Sequence, residues 1–247
     1  MPYLERVFRE TEDENRRVIL GALRPVPGGS LLDLGCADGE FTLQVAARAK
    51  AERICGVEFV EPWAERARAN GVDCVVADLG ARLPYDDASF DVVHSNQVIE
   101  HLPRTDVFLR EIRRVLKPGG HAVISTNNLA SWHNVVSLVL GWQPTPCHVS
   151  DEVIVGNPAN AYEGYEGAVD GQQHLRVFTG RALAGLAAFH GLTLDLDRTA
   201  GYYPLPVALA RVMTRIDRRH GAFLVQRFVP GTVVSRDGLS VTATRAA

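Results

Sequence analysis

The sequence predicts an α/β fold in which a mostly parallel, seven-stranded sheet carries helices on both faces. Two patterns lead to this prediction. Short β-branched segments alternate with helical segments from residue 30 to about 126, which is the pattern of strand–helix–strand units. After residue 174, two further helical segments alternate with two further strand segments. We therefore expect one doubly wound, Rossmann-like sheet with an insertion after its fifth strand.

The first half of the sheet is predicted from three strand segments, each joined to the next by a helical segment. Gly71 follows the second of these helices, at the position where glycine commonly ends a helix. The predicted strands are residues 30–36, 52–60 and 72–79, and the predicted helices are residues 39–49 and 62–70.

The second half begins with a strand and an amphipathic helix. The turn Lys117–Gly120 ends this helix and leads into the fifth strand, because proline and glycine interrupt helical geometry. The predicted strands are residues 90–97, 120–128, 192–201 and 222–229, and the predicted helices are residues 105–116, 179–191 and 206–220. On helix 105–116, Val107, Leu109, Ile112, Val115 and Leu116 are expected to face the core.

Composition favours a single domain built on one core. Of the 247 residues, 46% are hydrophobic and 22% are charged, as in an ordinary globular protein. We expect an N-terminal helical segment (1–29), a ligand-binding core (30–128), an insertion on the acceptor side (129–173) and a C-terminal part of the sheet with a tail (174–247).

Charge and cysteine content narrow the possible functions. The net charge of −3 gives no overall attraction for nucleic acid or anionic lipid, although a local basic patch remains possible. The 4 cysteines lack CxxC spacing, which favours a reduced, cytoplasmic protein. The N-terminus lacks the apolar run of a signal peptide, and no stretch approaches the roughly 18 apolar residues of a membrane span. The sequence leaves the oligomeric state open.

The loop after the first strand, residues 33–39, carries the first candidate site. In an open parallel sheet, ligands bind beyond the carboxyl ends of the strands, and glycines there let a ligand approach the backbone. Asp33 and Asp38 would repel a pyrophosphate at this position and instead favour a cationic ligand. An ordinary turn, with Asp38 capping the following helix, is the alternative interpretation.

Acidic residues also end the second and third predicted strands. Glu58 lies about 20 residues beyond the first glycines, where a carboxylate can accept both hydroxyls of a ribose. Asp78 is placed to accept a hydrogen bond from an adenine amino group, while Leu79 packs on the ring. Each acid alone could be a solvated surface residue. Because an acidic residue lies near the end of each of three successive strands, a nucleoside-binding site is a better interpretation than three unrelated surface residues.

The sequence resembles the class I S-adenosylmethionine-dependent methyltransferases. The segments LLDLGCADGEFT, GVEFVEPWAERAR, VVADLGARLPYDDASFDVVHSNQVIEHL and FLREIRRVLKPGGHAVIST are similar to the ordered motifs of that family, over residues 30–126. A weaker similarity extends over residues 174–194. The resemblance implies S-adenosylmethionine as the cofactor and S-adenosylhomocysteine as its product. A cofactor with a sulfonium and an ammonium group also agrees with the acidic first loop.

By this resemblance, the first loop would hold the methionyl group, Glu58 the ribose, and Asp78 with Leu79 the adenine. Ala37 stands where the family usually has a second glycine, so the loop geometry there departs from the pattern. The candidate cofactor-binding residues are Asp33, Gly35, Cys36, Ala37, Asp38, Gly39, Glu58, Phe59, Ala77, Asp78, Leu79, Asn96 and Gln97.

Two histidines are the candidate catalytic bases. An oxygen acceptor must lose a proton during methyl transfer, and a histidine near its ordinary pKa suits this task. His101 follows the fourth strand, and His174 lies where the sheet resumes after the insertion. No metal is expected, because Ser95-Asn96-Gln97 replaces the carboxylates of metal-dependent catechol-type methyltransferases. Candidate acceptor-binding residues in the insertion are Trp132, His133, Trp142 and Tyr165.

These observations predict methyl transfer to a hydroxyl or amine of a small molecule, a sugar or a lipid-linked glycan. The segment STNNLASWHN (125–134) is similar to small bacterial methyltransferases of glycan and secondary-metabolite assembly. One alternative is a module that binds S-adenosylmethionine or S-adenosylhomocysteine without turnover. Another is an RNA or protein methyltransferase, although the sequence lacks a basic groove and the Asn/Asp-Pro-Pro-aromatic motif. A basic helix face is predicted from Arg211, Arg215, Arg218 and Arg219.

Overall fold

A computed structural model describes residues 2–150, 152–160, 162–164, 173–231, 233–234 and 240–241. The helices are α1 (Pro2–Ala22), α2 (Glu40–Ala49), α3 (Glu61–Ala69), α4 (Thr105–Val115), α5 (Trp132–Val139), α6 (Gly180–Phe189) and α7 (Val207–Ile216). The strands are β1 (Gly29–Leu34), β2 (Ala51–Glu58), β3 (Asp73–Val76), β4 (Phe90–Asn96), β5 (Leu116–Asn127), β6 (Leu192–Ala200), β7 (Phe223–Pro230), β8 (Val233–Val234) and β9 (Ser240–Val241).

The main sheet confirms the predicted architecture. Its seven strands have the order β3-β2-β1-β4-β5-β7-β6, and β7 runs antiparallel to both of its neighbours. The first five strands are mutually parallel, so their carboxyl ends share one edge of the sheet. Strand order reverses between β1 and β4, which is the point where doubly wound folds bind ligands. A separate pair, β8 and β9, was not predicted.

Helix α4 shows how the sequence pattern produces packing. Phe108, Leu109, Ile112 and Val115 recur at helical spacing and are completely or almost completely buried in one core cluster with β4 and β5. Val107, which was predicted to face this core, is only partly buried, and Phe108 takes the inward position. The other predicted positions, Leu109, Ile112, Val115 and Leu116, are buried as predicted, and Leu116 begins β5.

Helix α1 covers the opposite face of the sheet and reaches the edge that forms the candidate site. Ile19 and Ala22 are buried against apolar residues of β1, β4 and β7. Near the carboxyl ends of the strands, the Asn15 amide donates to Asn96 Oδ1 at 3.0 Å, and the Ser125 hydroxyl donates to Asn15 Oδ1 at 3.0 Å. These bonds hold the middle of α1 beside the site, a contribution that the sequence did not reveal.

The predicted insertion contains helix α5 and a buried network of asparagine side chains. The Asn128 amide donates to the backbone oxygens of Arg219 and Gly221, and the Asn134 amide donates to the backbone oxygen of Asn128. Burying polar amides without partners costs free energy, so these bonds define one arrangement of the segment. None of the helices in the described residues has the length and apolar character needed to cross a membrane.

Candidate active site

A cleft of about 990 Å³ opens at the carboxyl edge of the parallel strands. Nine residues singled out from the sequence line it, and they come from separate segments of the chain. These residues are Gly35, Glu58, Phe59, Asp78, Leu79, Gln97, His101, His133 and His174. The fold therefore brings six of the thirteen predicted cofactor positions and both predicted catalytic histidines into one cavity.

Gly35 lies where the first loop crosses the floor of the cleft. Its φ is +80°, and a Cβ atom there would lie 2.4 Å from Val98 Cγ2. A side chain is therefore incompatible with both the backbone conformation and the space. Ala37 also has a positive φ, of 47°, in a region that glycine adopts more easily. Ala37, which stands where the family usually has a glycine, therefore adopts a backbone conformation that would be less strained in a glycine.

The side chain of Asp33 does not face the cleft, contrary to the prediction. It is buried in the core, where Thr42 Oγ1 donates to Oδ2 at 2.5 Å and His94 Nδ1 lies 2.7 Å from Oδ1. Asp33 and His94 are paired across adjacent strands, which explains this contact. Both carboxylate oxygens are used inside the protein, so we remove the Asp33 carboxylate from the candidate ligand contacts.

Cys36 and Asp38 also have structural partners. The Cys36 thiol lies 3.5 Å from Cys74 Sγ, and burial raises its pKa. Asp38 Oδ1 accepts the backbone N–H of Glu40 at 3.1 Å just before α2, but the N-cap residue of this helix is Gly39, so Asp38 is not the helix cap of the alternative interpretation. Four further candidates do not line the cleft: Ala37, Gly39 and Ala77, which belong to the surrounding loops, and Asn96, which ends β4.

Glu58 is the last residue of β2, as the sequence predicted, and its carboxylate organises the neighbouring loops. It accepts the backbone N–H groups of Ala37 at 3.0 Å, Phe59 at 2.8 Å and Val60 at 3.0 Å. A carboxylate offers about four acceptor positions, so one remains for a ligand. Phe59 is 72% exposed beside it and offers an aromatic face to the cleft.

Asp78 lies in a turn, because β3 ends at Val76, two residues before it. One carboxylate oxygen accepts the backbone N–H of Gly80 at 2.7 Å, and the side chain remains exposed at the cleft. Leu79 beside it is buried and forms part of the cleft wall. This pair offers one hydrogen-bond acceptor next to an apolar surface, as an adenine ring requires.

The electrostatic character of the cleft favours a cation. Glu12 from α1, Glu58 and Asp78 all line it, whereas none of the lining residues among those described is a lysine or arginine. Clefts lined by one sign of charge attract ligands of the opposite sign. The Gln97 amide nitrogen is buried without a hydrogen-bond partner in the described part of the chain, while its oxygen accepts from Asn127 at 3.0 Å. A ligand carboxylate or hydroxyl at this point would satisfy it.

Three histidines form a cluster at the other end of the cleft. The ring centroids of His101 and His174 are 4.9 Å apart, and His148 stacks on His174 at 4.7 Å. His101 Nδ1 lies 3.0 Å from the Gln173 carbonyl, and His174 Nδ1 lies 2.9 Å from the Pro146 carbonyl. A carbonyl only accepts, so each Nδ1 carries the proton and each Nε2 keeps its lone pair.

The environment keeps these histidines neutral. Burial lowers the pKa of His101, and the Gln173 carbonyl partly opposes this effect. Burial and the nearby His101 lower the pKa of His174 to about 4. Both rings are therefore unprotonated near neutral pH and can accept a proton from an acceptor molecule.

Glu100 is a member of this region that the sequence reasoning missed. Its side chain is completely buried, accepts from Thr126 Oγ1 at 2.8 Å and from Asn127 Nδ2 at 3.3 Å, and has a pKa raised by burial to about 7. Glu100, His101 and His174 each offer one ligand atom, and these atoms lie within 4.8 Å of one another. The prediction of a metal-free site was based on residues 95–97 only. Whether Glu100, His101 and His174 bind a metal ion therefore requires a separate test.

A second cavity, of about 490 Å³, adjoins the cleft and is mostly apolar. His133, Thr145 and Tyr203 line both cavities, so the two meet at these residues. Trp132 and Trp142, two of the predicted acceptor-binding residues, line this second cavity. Tyr165, the fourth candidate of that group, lies outside the described residues.

Comparison of the sequence and the structure with known proteins identifies similar methyltransferases. Residues 32–124 match the family model described as a methyltransferase domain. The chain is 36% identical over 167 residues to a probable S-adenosylmethionine-dependent methyltransferase of Mycolicibacterium smegmatis, with 66% of this chain and 61% of the relative covered. It is 35% identical to 27-O-demethylrifamycin SV methyltransferase of Amycolatopsis mediterranei, over 43% of this chain and 41% of that protein.

The chain thus spans between one third and three fifths of the length of the first curated relatives that it matches. Among solved structures, an S-adenosylmethionine-dependent methyltransferase of Mesorhizobium loti has the same fold, with a TM-score of 0.58 at 19% identity, covering 86% of this chain and 95% of that one. The [4+2]-cyclase SpnF has a TM-score of 0.58 at 20% identity, covering 89% and 81%. From the family match, the relatives and the sheet topology, we conclude that residues 32–124 form a methyltransferase domain, which is similar to S-adenosylmethionine-dependent methyltransferases in sequence and fold.

Proposed function

We propose that the protein transfers a methyl group from S-adenosylmethionine to a hydroxyl or amine of a small molecule, a sugar or a lipid-linked glycan. The observation that supports this proposal most strongly is the arrangement of the cleft. Acidic residues that suit a cationic nucleoside line it together with neutral histidines that can accept a proton.

The residues of the cleft fit this cofactor. Glu58 has a free acceptor position for a ribose, Asp78 and Leu79 suit an adenine, and the unpartnered Gln97 amide suits the methionyl end. When bound, S-adenosylmethionine supplies an electrophilic methyl group. Gly35 keeps the floor of the cleft open for it, because any side chain there would fill the space above Val98.

On the acceptor side, we propose that His101 or His174 accepts the proton through Nε2. Each ring is oriented by its Nδ1 bond to a backbone carbonyl, so little reorganisation precedes the reaction. The adjoining apolar cavity would take a hydrophobic part of the acceptor, with the tryptophan rings as its walls. We also propose that the insertion, residues 129–173, acts as the acceptor-binding lid.

The second candidate is a module that binds S-adenosylmethionine without methyl transfer. The similarity in fold to a protein named as a [4+2]-cyclase shows that this architecture is compatible with other activities. The oriented, neutral histidines in the same cavity as the acidic residues favour an enzyme, because a simple binding protein has no use for a proton acceptor there.

The first prediction separates these candidates. We expect S-adenosylmethionine and S-adenosylhomocysteine to bind at micromolar concentrations and NAD not to bind, because the described lining of the cleft offers carboxylates and no lysine or arginine for a pyrophosphate. Titration calorimetry measures this directly. Transfer of radiolabelled methyl groups to a panel of hydroxyl and amine acceptors then tests for turnover. Binding of NAD without binding of S-adenosylhomocysteine would overturn the proposal.

The second prediction concerns Glu58. Glu58→Gln is expected to weaken S-adenosylhomocysteine binding by about 1–3 kcal/mol, because a charge-assisted hydrogen bond becomes a neutral one and one acceptor oxygen becomes a donor. Glutamine keeps the size of the side chain, and with its oxygen in the place of Oε1 it keeps the bonds from Phe59 and Val60 and loses only the acceptor for the Ala37 N–H. Glu52→Gln, at the exposed opposite end of the same strand, is the matched control and should bind normally. An unchanged dissociation constant for Glu58→Gln would remove this residue from the site.

A further inference from the structure

Helix α5 presents an apolar face to the solvent. Trp132, Val136, Val139 and Leu140 recur at the spacing of one helix face and are all exposed, Val139 to 82%. A helix of a globular protein normally buries this face and exposes polar residues. The residues that α5 does bury are the polar Asn134 and Ser137, so its amphipathic pattern is inverted.

Helix α7 has the same property. Leu209, Val212 and Ile216 lie on one face at spacings of three and four residues, and all are exposed, Ile216 to 75%. The start of α5 and the end of α7 are in contact: Trp132 Nε1 donates to Asp217 Oδ2 at 2.8 Å, and the Trp132 ring lies 4.8 Å from that of His220. Large exposed apolar areas of this kind mark interaction sites.

Arginines accompany these apolar residues. Arg215 is exposed on α7, and Arg218 and Arg219 are exposed just beyond its end, whereas the whole chain has a net charge of −3. Apolar residues beside arginines on a short helix are typical of helices that lie in the headgroup region of an anionic membrane. An arginine cluster beside an apolar face therefore predicts a partner that is both apolar and negatively charged.

The apolar cavity connects this surface with the reaction cleft. Trp132 and Val136 of α5 and Met213 of α7 line it, and at its other side it meets the cleft at His133 and Tyr203. An apolar chain that enters between the two helices would therefore extend toward the histidine cluster. Such a path has a clear use if the acceptor is anchored in a bilayer by an acyl or isoprenoid chain.

We propose that the exposed faces of α5 and α7, with Arg215, Arg218 and Arg219, form a docking surface for an anionic lipid bilayer. This inference rests on the proposed function, because it gives the acceptor a membrane-embedded apolar chain and a polar group that is methylated in the cleft. A second copy of the chain is a less suitable partner. In a two-fold contact each copy would present the same arginines to the other, and these like charges would repel.

Sedimentation with lipid vesicles tests the proposal. The full-length protein should sediment with vesicles that contain phosphatidylglycerol and remain largely in the supernatant with phosphatidylcholine alone. The double variant Val139→Ser/Ile216→Ser should bind the anionic vesicles roughly tenfold less, because it removes the two most exposed apolar contacts. Arg215→Gln/Arg218→Gln should lose the preference for anionic vesicles. Phe189→Ser, an equally simple change at a half-exposed apolar residue of α6, is the matched control and should bind like the wild type.

Two further measurements keep the outcomes distinct. Val139 and Ile216 do not line either cavity, so S-adenosylhomocysteine binding by the double variant should be unchanged, and this shows that it folds. Light scattering reports whether the wild type self-associates and whether the variants lose that association, which would assign the surface to a second copy. Absence of vesicle binding by the wild type, or equal binding by the double variant, would refute the docking surface. Failure of S-adenosylhomocysteine binding in the wild type would instead refute the proposed function.

Discussion

Replacement of His101 by alanine is expected to lower turnover by roughly 10²–10⁴-fold, the usual contribution of a general base, while cofactor affinity stays within a few fold. His101 lines the cleft, its Nδ1 is held by the Gln173 carbonyl, and its Nε2 is available to accept a proton. The same loss is expected for His174→Ala if this ring is the one that faces the acceptor. Single-turnover methyl transfer together with calorimetry of S-adenosylhomocysteine separates the two effects.

The pH dependence of turnover follows from the lowered pKa values of both histidines. A base works only when unprotonated, so the rate falls as the pH drops through its pKa. Burial lowers that pKa, and the acidic limb of the profile should therefore lie below the ordinary range of histidine, about 6.5. This limb should vanish in the variant that removes the base.

Two controls define what the histidine variants mean. His190 lies outside the cleft lining, and in His190→Gln the amide nitrogen can replace His190 Nε2 as the donor to Asp106, so this variant should leave turnover unchanged. Assays after chelation test whether Glu100, His101 and His174 hold a cation instead. Loss of activity on chelation, with recovery on adding a divalent metal, would show that the histidines act as ligands. Full activity of both single variants and of the double variant would show that positioning alone is sufficient, as an amine of low pKa would allow.

The sheet and the proposed nucleoside end of the site could be predicted from the sequence because they depend on local order. Strand segments alternate with helices at regular intervals, and parallel strands must place their carboxyl ends at one edge. Glu58 could thus be located at the end of β2 before the structure was known. Asp78 was placed at a strand end, but β3 stops earlier, because strand boundaries are the least certain feature of such predictions.

Features that depend on tertiary contacts could not be predicted from the sequence. The sequence pattern predicted that Asp33 faces a ligand. In the structure, Asp33 pairs with His94 on the adjacent strand, and its carboxylate lies in the core. Helix α1 reaches the cleft across about 80 residues of chain through Asn15 and Asn96. Glu100 did have a signal, since it precedes His101 directly, but its complete burial could not be read from the sequence.

Gly35→Ala is expected to weaken S-adenosylhomocysteine binding by roughly 100-fold. The left-handed conformation at φ +80° costs a residue with a side chain about 1 kcal/mol or more, and the added Cβ would lie 2.4 Å from Val98 Cγ2. Either the loop or Val98 must shift, and both border the space for the cofactor. Calorimetry gives the affinity, and thermal unfolding shows whether the variant remains folded.

A compensating change makes this prediction specific. In Gly35→Ala/Val98→Ala the clashing Cγ2 is gone, and the new Cβ meets the Cβ of residue 98 at the ordinary contact distance of 3.6 Å. We expect this double variant to recover most of the affinity, with a remaining deficit from the strained backbone. Gly185→Ala, in helix α6 with nothing within 4 Å of the new methyl group, is the matched control and should bind normally. If Gly35→Ala bound as tightly as the wild type, the loop would not form the floor of the cofactor site; if the double variant failed to recover, strain of the backbone rather than the contact with Val98 would be the cause.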